Sequence, residues 1–285
     1  MKLALIQEKQ NRLYRFHGED VFSRDESLAL QREMVEQNLG LLREASIEGA
    51  DIALTSEAIN YPGQVRCLPG LSAADLVEST QDWVFGEMSK AAREFGMYIV
   101  AGMLRVGQDG KLRNQAIVFD RSGNAVHEYS KVFLAGDEND YMTPGRDFPI
   151  WDSEYGRIGI GICWDMQFPE TCRAYARQGA SLVLSPTWGW EHTYASARAY
   201  ENGIFVAASM AVPEYKNIEG KRASSQVIAP DGLIMAEGPS DSPAVVTVQI
   251  DDLEACEAYR SVRMGCLKRW EDASSESVNT GGRKQ

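Results

Sequence analysis

The sequence has few histidines and no long apolar stretch. Its 285 residues include three histidines, His17, His127 and His192, and none lies at the end of a strand-like segment with orienting neighbours. A Cys-His or Ser-His-Asp catalytic arrangement therefore has little support. No apolar run reaches the length that spans a bilayer, and the run near residue 2 is too short for a signal peptide. We expect a cytoplasmic protein that does not bind membranes.

Cysteine number and charge exclude further classes. The five cysteines are odd in number and scattered, so they predict neither a disulfide framework nor a CxxC metal site; they are Cys67, Cys163, Cys172, Cys256 and Cys266. The net charge of −12 argues against binding to nucleic acid or an anionic membrane. With 44% apolar residues, the chain can bury one sizeable core. We expect no metal, no cofactor, and a small molecule as the ligand.

The segment 157–170, RIGIGICWDMQFPE, places a cysteine at the start of a helix signal. Isoleucines alternate with glycines up to Cys163, which predicts a short buried strand that lets other backbone approach closely. Pro169 suits the first turn of a helix that ends near Gly179. A cysteine at such a junction, near cations or oriented N–H groups, can hold a thiolate at neutral pH and act as a nucleophile. The alternative is a small buried hydrophobic residue.

Two other segments offer a carboxylate and a lysine in place of histidine. In ADIALTSEAINYPG, an apolar strand leads to Glu57, and turn residues follow. In HEYSKVFLAGDEND, Lys131 lies in a strand-like run before a polar loop that contains Glu138. A buried carboxylate beside a lysine can serve as a general base. Taken singly, these residues are also typical of strand-end charges that face solvent.

Taken in chain order, these segments resemble the carbon-nitrogen hydrolase (nitrilase) superfamily over nearly the whole chain. The matching segments are KLALIQ, DIALTSEAINYPG, YSKVFLAGDENDYMTPG, CWDMQFPETCR, RAYENGIFVAAS and SSQVIAPDG. The resemblance, with paired strands flanked by helices, implies an α/β fold, an α-β-β-α sandwich. We assign residues 1–270 to this hydrolase domain and residues 271–285, which are polar, to a mobile tail.

The resemblance implies a role for each of four residues. Cys163 corresponds to the nucleophile, Glu57 to the general base and acid, and Lys131 to the cation that stabilises the tetrahedral intermediate. Glu138 corresponds to a second glutamate that positions the substrate or the lysine. Cleavage of an amide needs these groups, because attack creates an oxyanion and ammonia must depart protonated. The backbone N–H of Trp164 is a further candidate for the oxyanion.

Residues around these motifs bear on the substrate. Four are candidates for substrate binding or, alternatively, for packing: Tyr61, Trp164, Thr187 and Trp188. The nucleophile is followed by Trp164 and Asp165, whereas nitrile-hydrolysing relatives typically have Trp and Glu there. The resemblance therefore favours amides and N-carbamoyl amines over nitriles. We expect the shorter carboxylate of Asp165 to bind nearby backbone N–H groups.

Three departures from the family pattern limit what can be inferred about the substrate. Ser56 stands where proline is frequent, Phe133 stands where histidine is frequent, and Gln167 stands where many members have arginine. Other functions stay open: a catalytically silent relative that binds a metabolite or partner, a nitrilase, and an acyltransferase that uses the same three residues. The resemblance also implies a homodimer or higher homo-oligomer, paired through helices near 170–178 and 191–202.

Local patterns predict further details of the fold. The polar stretch 8–25 is expected to be irregular and to contribute to the rim of the active site. A helix capped by Asp25 or Ser27 follows, and four of its residues are candidates for the core: Leu30, Met34, Leu41 and Leu42. Arg198 and Glu201 are expected to form a structural ion pair behind the site.

Overall fold

Alternating apolar residues build two β-sheets that pack face to face. The structure is a computed structural model and describes residues 1–15, 20–214, 222–253 and 256–280, with side chains up to residue 274. In the described residues each sheet has six strands. Helices cover the outer faces, so the predicted α-β-β-α sandwich is confirmed.

The first sheet has the strand order β12-β1-β2-β3-β4-β5. Its strands are β1 (Lys2–Gln7), β2 (Ile52–Leu54), β3 (Tyr98–Val106), β4 (Leu112–Phe119), β5 (Ala125–Ser130) and β12 (Ala244–Gln249). The three strands β1, β2 and β3 are parallel, and the others pair antiparallel.

The second sheet repeats this plan with the order β11-β10-β9-β8-β7-β6. Its strands are β6 (Trp151–Ser153), β7 (Gly156–Ile160), β8 (Leu182–Thr187), β9 (Phe205–Met210), β10 (Gln226–Ile228) and β11 (Ile234–Glu237). Here β7, β8 and β9 form the parallel centre.

Helices pack on the outer faces because alternate strand residues point away from the sandwich interior. The helices are α1 (Arg24–Ile47), α2 (Ala73–Phe95), α3 (Glu138–Tyr141), α4 (Pro169–Arg177), α5 (His192–Asn202) and α6 (Cys256–Thr280). In β1, Leu3 and Leu5 face the second sheet, whereas Ala4 and Ile6 face α1 and α2. None of the helices in the described ranges is long and apolar enough to cross a membrane.

The parallel strands of both sheets end on the same side of the molecule. The hydroxyl of Ser209, in β9, donates a hydrogen bond to the carbonyl of Ile6, in β1 (2.9 Å). Beyond these strands, the N–H of Val212 donates to the carbonyl of Glu8 (2.7 Å). Side chains that follow the parallel strands of the two sheets are therefore brought together at this edge.

The structure corrects two predictions about α1. Its N-cap is Ser23, which forms a capping box with Glu26, so neither Asp25 nor Ser27 is the cap. Ser27 instead donates its hydroxyl to the carbonyl of Pro62 (2.6 Å). Of the four predicted core residues, three are buried, and Leu30 is only half-buried.

Polar composition did not prevent helix formation near the C-terminus. Helix α6 continues through residues 271–280, which the sequence predicted to belong to a mobile polar tail, and the mobility of this helical segment stays a prediction. Residues 281–285 lie outside the described residues, and the domain boundary at 270 stays a prediction.

Candidate active site

The loop after β2 holds Glu57 in a closely packed backbone. The hydroxyl of Thr55 donates to the carbonyl of Ser56 (3.0 Å) and accepts from the N–H of Gly102 (2.9 Å). A Cβ on Gly102 would lie 2.3 Å from the carbonyl oxygen of Ser56, so only glycine allows this approach. Ala58 has a φ of 48°, which is unfavourable for a residue with a side chain. The position of Glu57 is thus fixed by its neighbours on both sides.

Glu57 is buried, and one of its two carboxylate oxygens is fully engaged. Its Oε1 accepts hydrogen bonds from Asn114 Nδ2 (2.7 Å) and Lys131 Nζ (2.9 Å). No donor for its Oε2 is found in the described part of the chain. This second oxygen is therefore available to take up a proton.

Lys131 joins Glu57 to Glu138. Its Nζ lies 2.9 Å from Glu57 Oε1 and 2.9 Å from each carboxylate oxygen of Glu138. Burial alone would lower the pKa of Lys131, but the charges of Glu57 and Glu138 outweigh it and raise the pKa. The lysine is therefore a buried, permanent cation. It follows directly after β5 rather than lying within a strand.

Cys163 occupies a strained turn after β7. The strand ends at Ile160, earlier than predicted, and Cys163 begins a 3₁₀ helix that runs to Gln167 (Cys163–Gln167). Its φ of 45° is in the left-handed region, which costs of the order of 1 kcal/mol or more for a residue with a side chain. The glycines of this segment were predicted to let other backbone approach closely, but side chains occupy the space beside them. A Cβ on Gly159, for example, would lie 2.4 Å from Cγ of Tyr175.

Asp165 holds this turn against the first sheet. Its carboxylate accepts hydrogen bonds from the N–H groups of Ile162 (2.9 Å) and Phe133 (2.8 Å), and from the hydroxyl of Tyr129 (2.7 Å). The prediction that this carboxylate binds backbone N–H groups is confirmed. The side chain of Asp165 therefore joins the segment that begins at Lys131 to the turn that contains Cys163.

The surroundings of Cys163 act on its thiol in opposite directions. Burial raises the pKa of the thiol to about 12, the charge of Glu57 adds to this, and Lys131 opposes it together with hydrogen bonds from Trp188 and Thr187. The net direction favours the protonated thiol and does not support the expected thiolate. A protonated thiol needs a base at the moment of attack.

Helix α5 supports the nucleophile turn from behind. Arg198 donates hydrogen bonds to the carbonyls of Met166 (2.9 Å) and Gln167 (2.6 Å) and pairs with Glu201 (3.1 Å). The predicted structural ion pair is confirmed. The arginine thereby fixes carbonyls in the turn that Cys163 begins.

The candidate catalytic side chains meet in a cavity of about 230 Å³. Glu57, Lys131, Glu138 and Cys163 line it together with three of the four candidate binding residues, Tyr61, Trp164 and Trp188. The fourth, Thr187, is not among the lining residues and instead hydrogen-bonds the Cys163 thiol.

Trp188 and its neighbours form an aromatic wall behind Glu57. The indole N–H of Trp188 donates to the carbonyl of Glu57 (2.5 Å), and its ring packs edge-on against Tyr61 and Tyr14 at 4.9 and 5.0 Å between centroids. Tyr14 comes from the stretch 8–25 that was expected at the rim. Tyr14 is not among the residues that line the cavity. Residues 16–19 of the same stretch lie outside the described residues.

Sequence reasoning missed several residues of the cavity. Asn114, Tyr141, Glu191 and Arg222 line it. Asn114 stands between the polar residues Arg113 and Gln115 in β4, so no local pattern indicated that its amide is buried and needs a polar partner. Nothing local marks the other three, which reach the cavity from loops and short helices.

The chain resembles known proteins in both sequence and fold. The carbon-nitrogen hydrolase family profile matches residues 2–261. The omega-amidase NIT2 of Bos taurus is 28% identical over 258 residues, which cover 85% of this chain and 91% of that protein. The carbon-nitrogen hydrolase from Helicobacter pylori G27 shares the fold, with a TM-score of 0.76, 20% identity, and coverage of 100% of this chain and 98% of that one.

A further structure is that of an amidase from Nesterenkonia sp. AN1, a cysteine-to-alanine mutant in complex with butyramide. It is 25% identical to this chain, with a TM-score of 0.68, and the alignment covers 94% of this chain and 96% of that one. With a family match over most of its length and amidases among its relatives, this chain belongs to the carbon-nitrogen hydrolase family of the nitrilase superfamily and is an amidase-like enzyme of that family.

Proposed function

We propose that the enzyme hydrolyses a small linear amide or N-carbamoyl amine through a thioester on Cys163, with release of ammonia. The observation that carries this proposal is the buried ion pair of Lys131 with Glu57 and Glu138 in the cavity that Cys163 lines. A binding protein has no need of a nucleophile, a free carboxylate oxygen and a fixed cation in one pocket. The same argument counts against a catalytically silent relative.

In the first half of the reaction, the Cys163 sulfur attacks the carbonyl carbon. Glu57 takes the thiol proton on Oε2, the oxygen for which the described residues supply no donor. The negative charge that develops on the carbonyl oxygen is stabilised by Lys131 and by the backbone N–H of Trp164. Glu57 then passes the proton to the substrate nitrogen, the C–N bond breaks, and ammonia leaves.

In the second half, water replaces the sulfur. Glu57 removes a proton from water, and the resulting hydroxide attacks the thioester carbonyl. Collapse of this intermediate breaks the C–S bond, and the proton returns to the Cys163 sulfur. The products are a carboxylic or carbamic acid and ammonia, so atoms and charge balance. Glu138 keeps Lys131 in place during both halves through its paired oxygens.

The charges of the cavity favour substrates without a carboxylate. Besides Glu57 and Glu138, Asp137 and Glu191 line it, against two cations, Lys131 and Arg222. Lys131 is already paired, and Arg222 donates a hydrogen bond to the carbonyl of Trp188 (3.1 Å). A neutral or cationic substrate avoids repulsion from this excess of negative charge. The related Nesterenkonia amidase was solved with butyramide, a neutral amide, which supports the same choice.

The residue at 167 supports this choice further. Gln167 lines the cavity where many members of the family have arginine, so an anion-binding group is replaced here by a neutral amide. We expect turnover of butyramide to exceed that of succinamate, its analogue with a terminal carboxylate. In Gln167→Arg the ratio should shift toward succinamate, as measured by kcat/KM for ammonia release. An unchanged ratio would show that the charge at 167 does not select substrates.

A panel of amides, N-carbamoyl amines and nitriles tests the reaction class through ammonia release. Cys163→Ala should abolish turnover, and Cys172→Ala, the control at a buried cysteine that does not line the cavity, should leave it largely intact. Glu57→Gln and Lys131→Ala should each lower the rate by about 100-fold or more, the scale typical of losing acid–base or oxyanion assistance. Circular dichroism checks that each variant is folded.

Two results would contradict the proposal. A folded Glu57→Gln or Lys131→Ala variant with near-parental activity would remove that residue from the mechanism. Turnover of nitriles to acids without activity on the matching amides would identify a nitrilase. Trp164 followed by Asp165 favours amides, because nitrile-hydrolysing relatives typically have glutamate at the second position.

Self-association is also proposed. Helices α5 and α6 pack together and expose large apolar side chains, Tyr200, Tyr259, Val262 and Trp270. A second copy of the chain is the partner we propose for this surface, next to the helix at 191–202 that the sequence indicated. Placement in the cytoplasm, and the absence of nucleic-acid and membrane partners, stay predictions from composition.

A further inference from the structure

A buried carboxyl group that the proposed mechanism does not use lies behind the catalytic loop. Glu8 follows β1 and has no exposed surface. The hydroxyl of Ser56, which is equally buried, donates a short hydrogen bond to Glu8 Oε1. The described residues supply no donor to Glu8 Oε2. An acid is expensive to bury, so its presence at this place needs an explanation.

Each residue of the loop around Glu57 is held by a different contact. Thr55 is held by the N–H of Gly102 (2.9 Å), the carbonyl of Glu57 by the indole of Trp188 (2.5 Å), and the carbonyl of Ala58 by the hydroxyl of Tyr14 (3.0 Å). The side chain of Ser56 is held by Glu8. Glu8 is itself anchored, because its carbonyl accepts from the N–H of Val212 (2.7 Å).

We propose that Glu8, acting through its hydrogen bond to Ser56, is a positioning residue for Glu57. The inference rests on the proposed function, in which Glu57 must align its free oxygen with the thiol and with the leaving nitrogen. Misplacement of a catalytic group by about 1 Å can cost about 100-fold in rate. Glu8 is not among the residues that line the cavity, and the contact that joins it to the catalytic loop is its hydrogen bond to Ser56, so we expect its effect to pass through the backbone at 56 and 57.

Two substitutions of Glu8 distinguish a positioning role from an effect of its charge. Glu8→Ala removes the acceptor and should lower kcat by about 10-fold or more while KM changes less than about 3-fold. Glu8→Gln keeps an acceptor oxygen for the Ser56 hydroxyl and should stay within about 3-fold of the parent. If Glu8→Gln is as impaired as Glu8→Ala, the carboxyl group acts by charge, and the proposal is overturned.

A proline at 56 offers a rescue. Its ring fixes φ without a side-chain hydrogen bond, and the N–H of Ser56 makes no hydrogen bond to any described residue, so proline removes none. The double variant Glu8→Ala/Ser56→Pro should regain at least half of the lost kcat on a logarithmic scale. A folded double variant that is no better than Glu8→Ala would count against positioning through residue 56.

Gln7 provides the matched control. It precedes Glu8, is equally buried, and binds the N–H of Ser225 (2.9 Å) and the carbonyl of Pro239 (2.7 Å), away from the Glu57 loop. Gln7→Ala should lower the thermal midpoint, because it removes both buried hydrogen bonds, but leave kcat within about 2-fold. An equal loss of kcat in both variants would show that any damage at the end of β1 has this effect.

A readout that needs no turnover separates this inference from the proposed function. Iodoacetamide alkylation of Cys163, followed by intact mass, reports how readily the thiol loses its proton to Glu57. Glu8→Ala should slow alkylation by about the same factor as kcat. If no amide is hydrolysed and alkylation still slows, the proposed function fails and the positioning role stands. If amides are hydrolysed and Glu8→Ala is alkylated at the parental rate, the positioning role fails.

Discussion

Replacing Glu8 by glutamine should change how the stability of the enzyme depends on pH. Burial raises the pKa of Glu8 from 4.5 to about 7, and the hydrogen bond from Ser56 only partly opposes this. In the unfolded chain the carboxyl group loses its proton near its ordinary pKa, whereas in the folded protein it keeps the proton until about pH 7. Between these values the folded state binds more protons, so its stability falls as pH rises.

The size of this effect follows from the two pKa values. At 1.36 kcal/mol for each pH unit, the rise from 4.5 to about 7 corresponds to about 3 kcal/mol of unfolding free energy. The full stability is present below about pH 4.5, is lost progressively up to about pH 7, and changes no further above it. Glutamine does not titrate, so Glu8→Gln should gain about 3 kcal/mol relative to the parent between pH 4.5 and pH 8.

Thermal unfolding of both proteins across this range measures the difference. A gain of about 3 kcal/mol corresponds to a rise of about 6 °C in the midpoint of Glu8→Gln relative to the parent. Asp165 and Glu138, whose pKa values are also raised by burial, titrate in both proteins and cancel in the comparison. Parallel curves of midpoint against pH would refute the reasoning, because they would show that Glu8 ionises alike in the folded and unfolded states.

Three further predictions concern packing, the second glutamate and assembly. Gly159→Ala places a methyl group against the ring of Tyr175 and should cost about 1–3 kcal/mol, measured by urea unfolding; an unchanged midpoint would mean that the ring moves aside freely. Glu138→Gln should lower kcat less than Glu57→Gln does, since Lys131 keeps one carboxylate partner; an equal loss in kinetic assays would give both glutamates direct roles. Light scattering at micromolar concentration should give at least a dimer mass, and Tyr259→Arg should lower it; a monomeric parent would exclude the proposed pairing.

The sequence predicted those parts of the site that depend on local patterns. Glu57 and Cys163 each follow an apolar strand and Lys131 follows the more polar strand β5, and the order of their motifs along the chain was enough to place them in one family. The paired sheets and flanking helices followed from the same alternation of apolar residues. Errors of a few residues, as at the cap Ser23 and the end of β7, arose because several residues of suitable type stand next to one another.

Other features depend on contacts between distant segments, which no local pattern records. Glu8 is a polar residue in a polar stretch, and its burial results from packing against Ser56, 48 residues away in sequence. The raised pKa of the Cys163 thiol results from burial and from the charge of Glu57, and a strand-end motif contains neither fact. Helix formation at 271–280 was missed because polar composition was taken to exclude order, whereas exposed helices tolerate polar residues.

Because the reacting groups are divided between two sheets, the activity of the enzyme depends on the distance between those sheets. Glu57 and Lys131 follow strands of one sheet and Cys163 follows a strand of the other, while the apolar side chains between the sheets set their separation. A shortened side chain deep in that layer, such as Ile160→Val, lets the sheets settle closer and alters the gap that the sulfur must cross. We therefore expect kcat to change when core residues between the sheets are shortened, even where those residues do not contact the substrate. Conversely, a ligand that contacts both sheets should slow their separation and so lower the rate of unfolding.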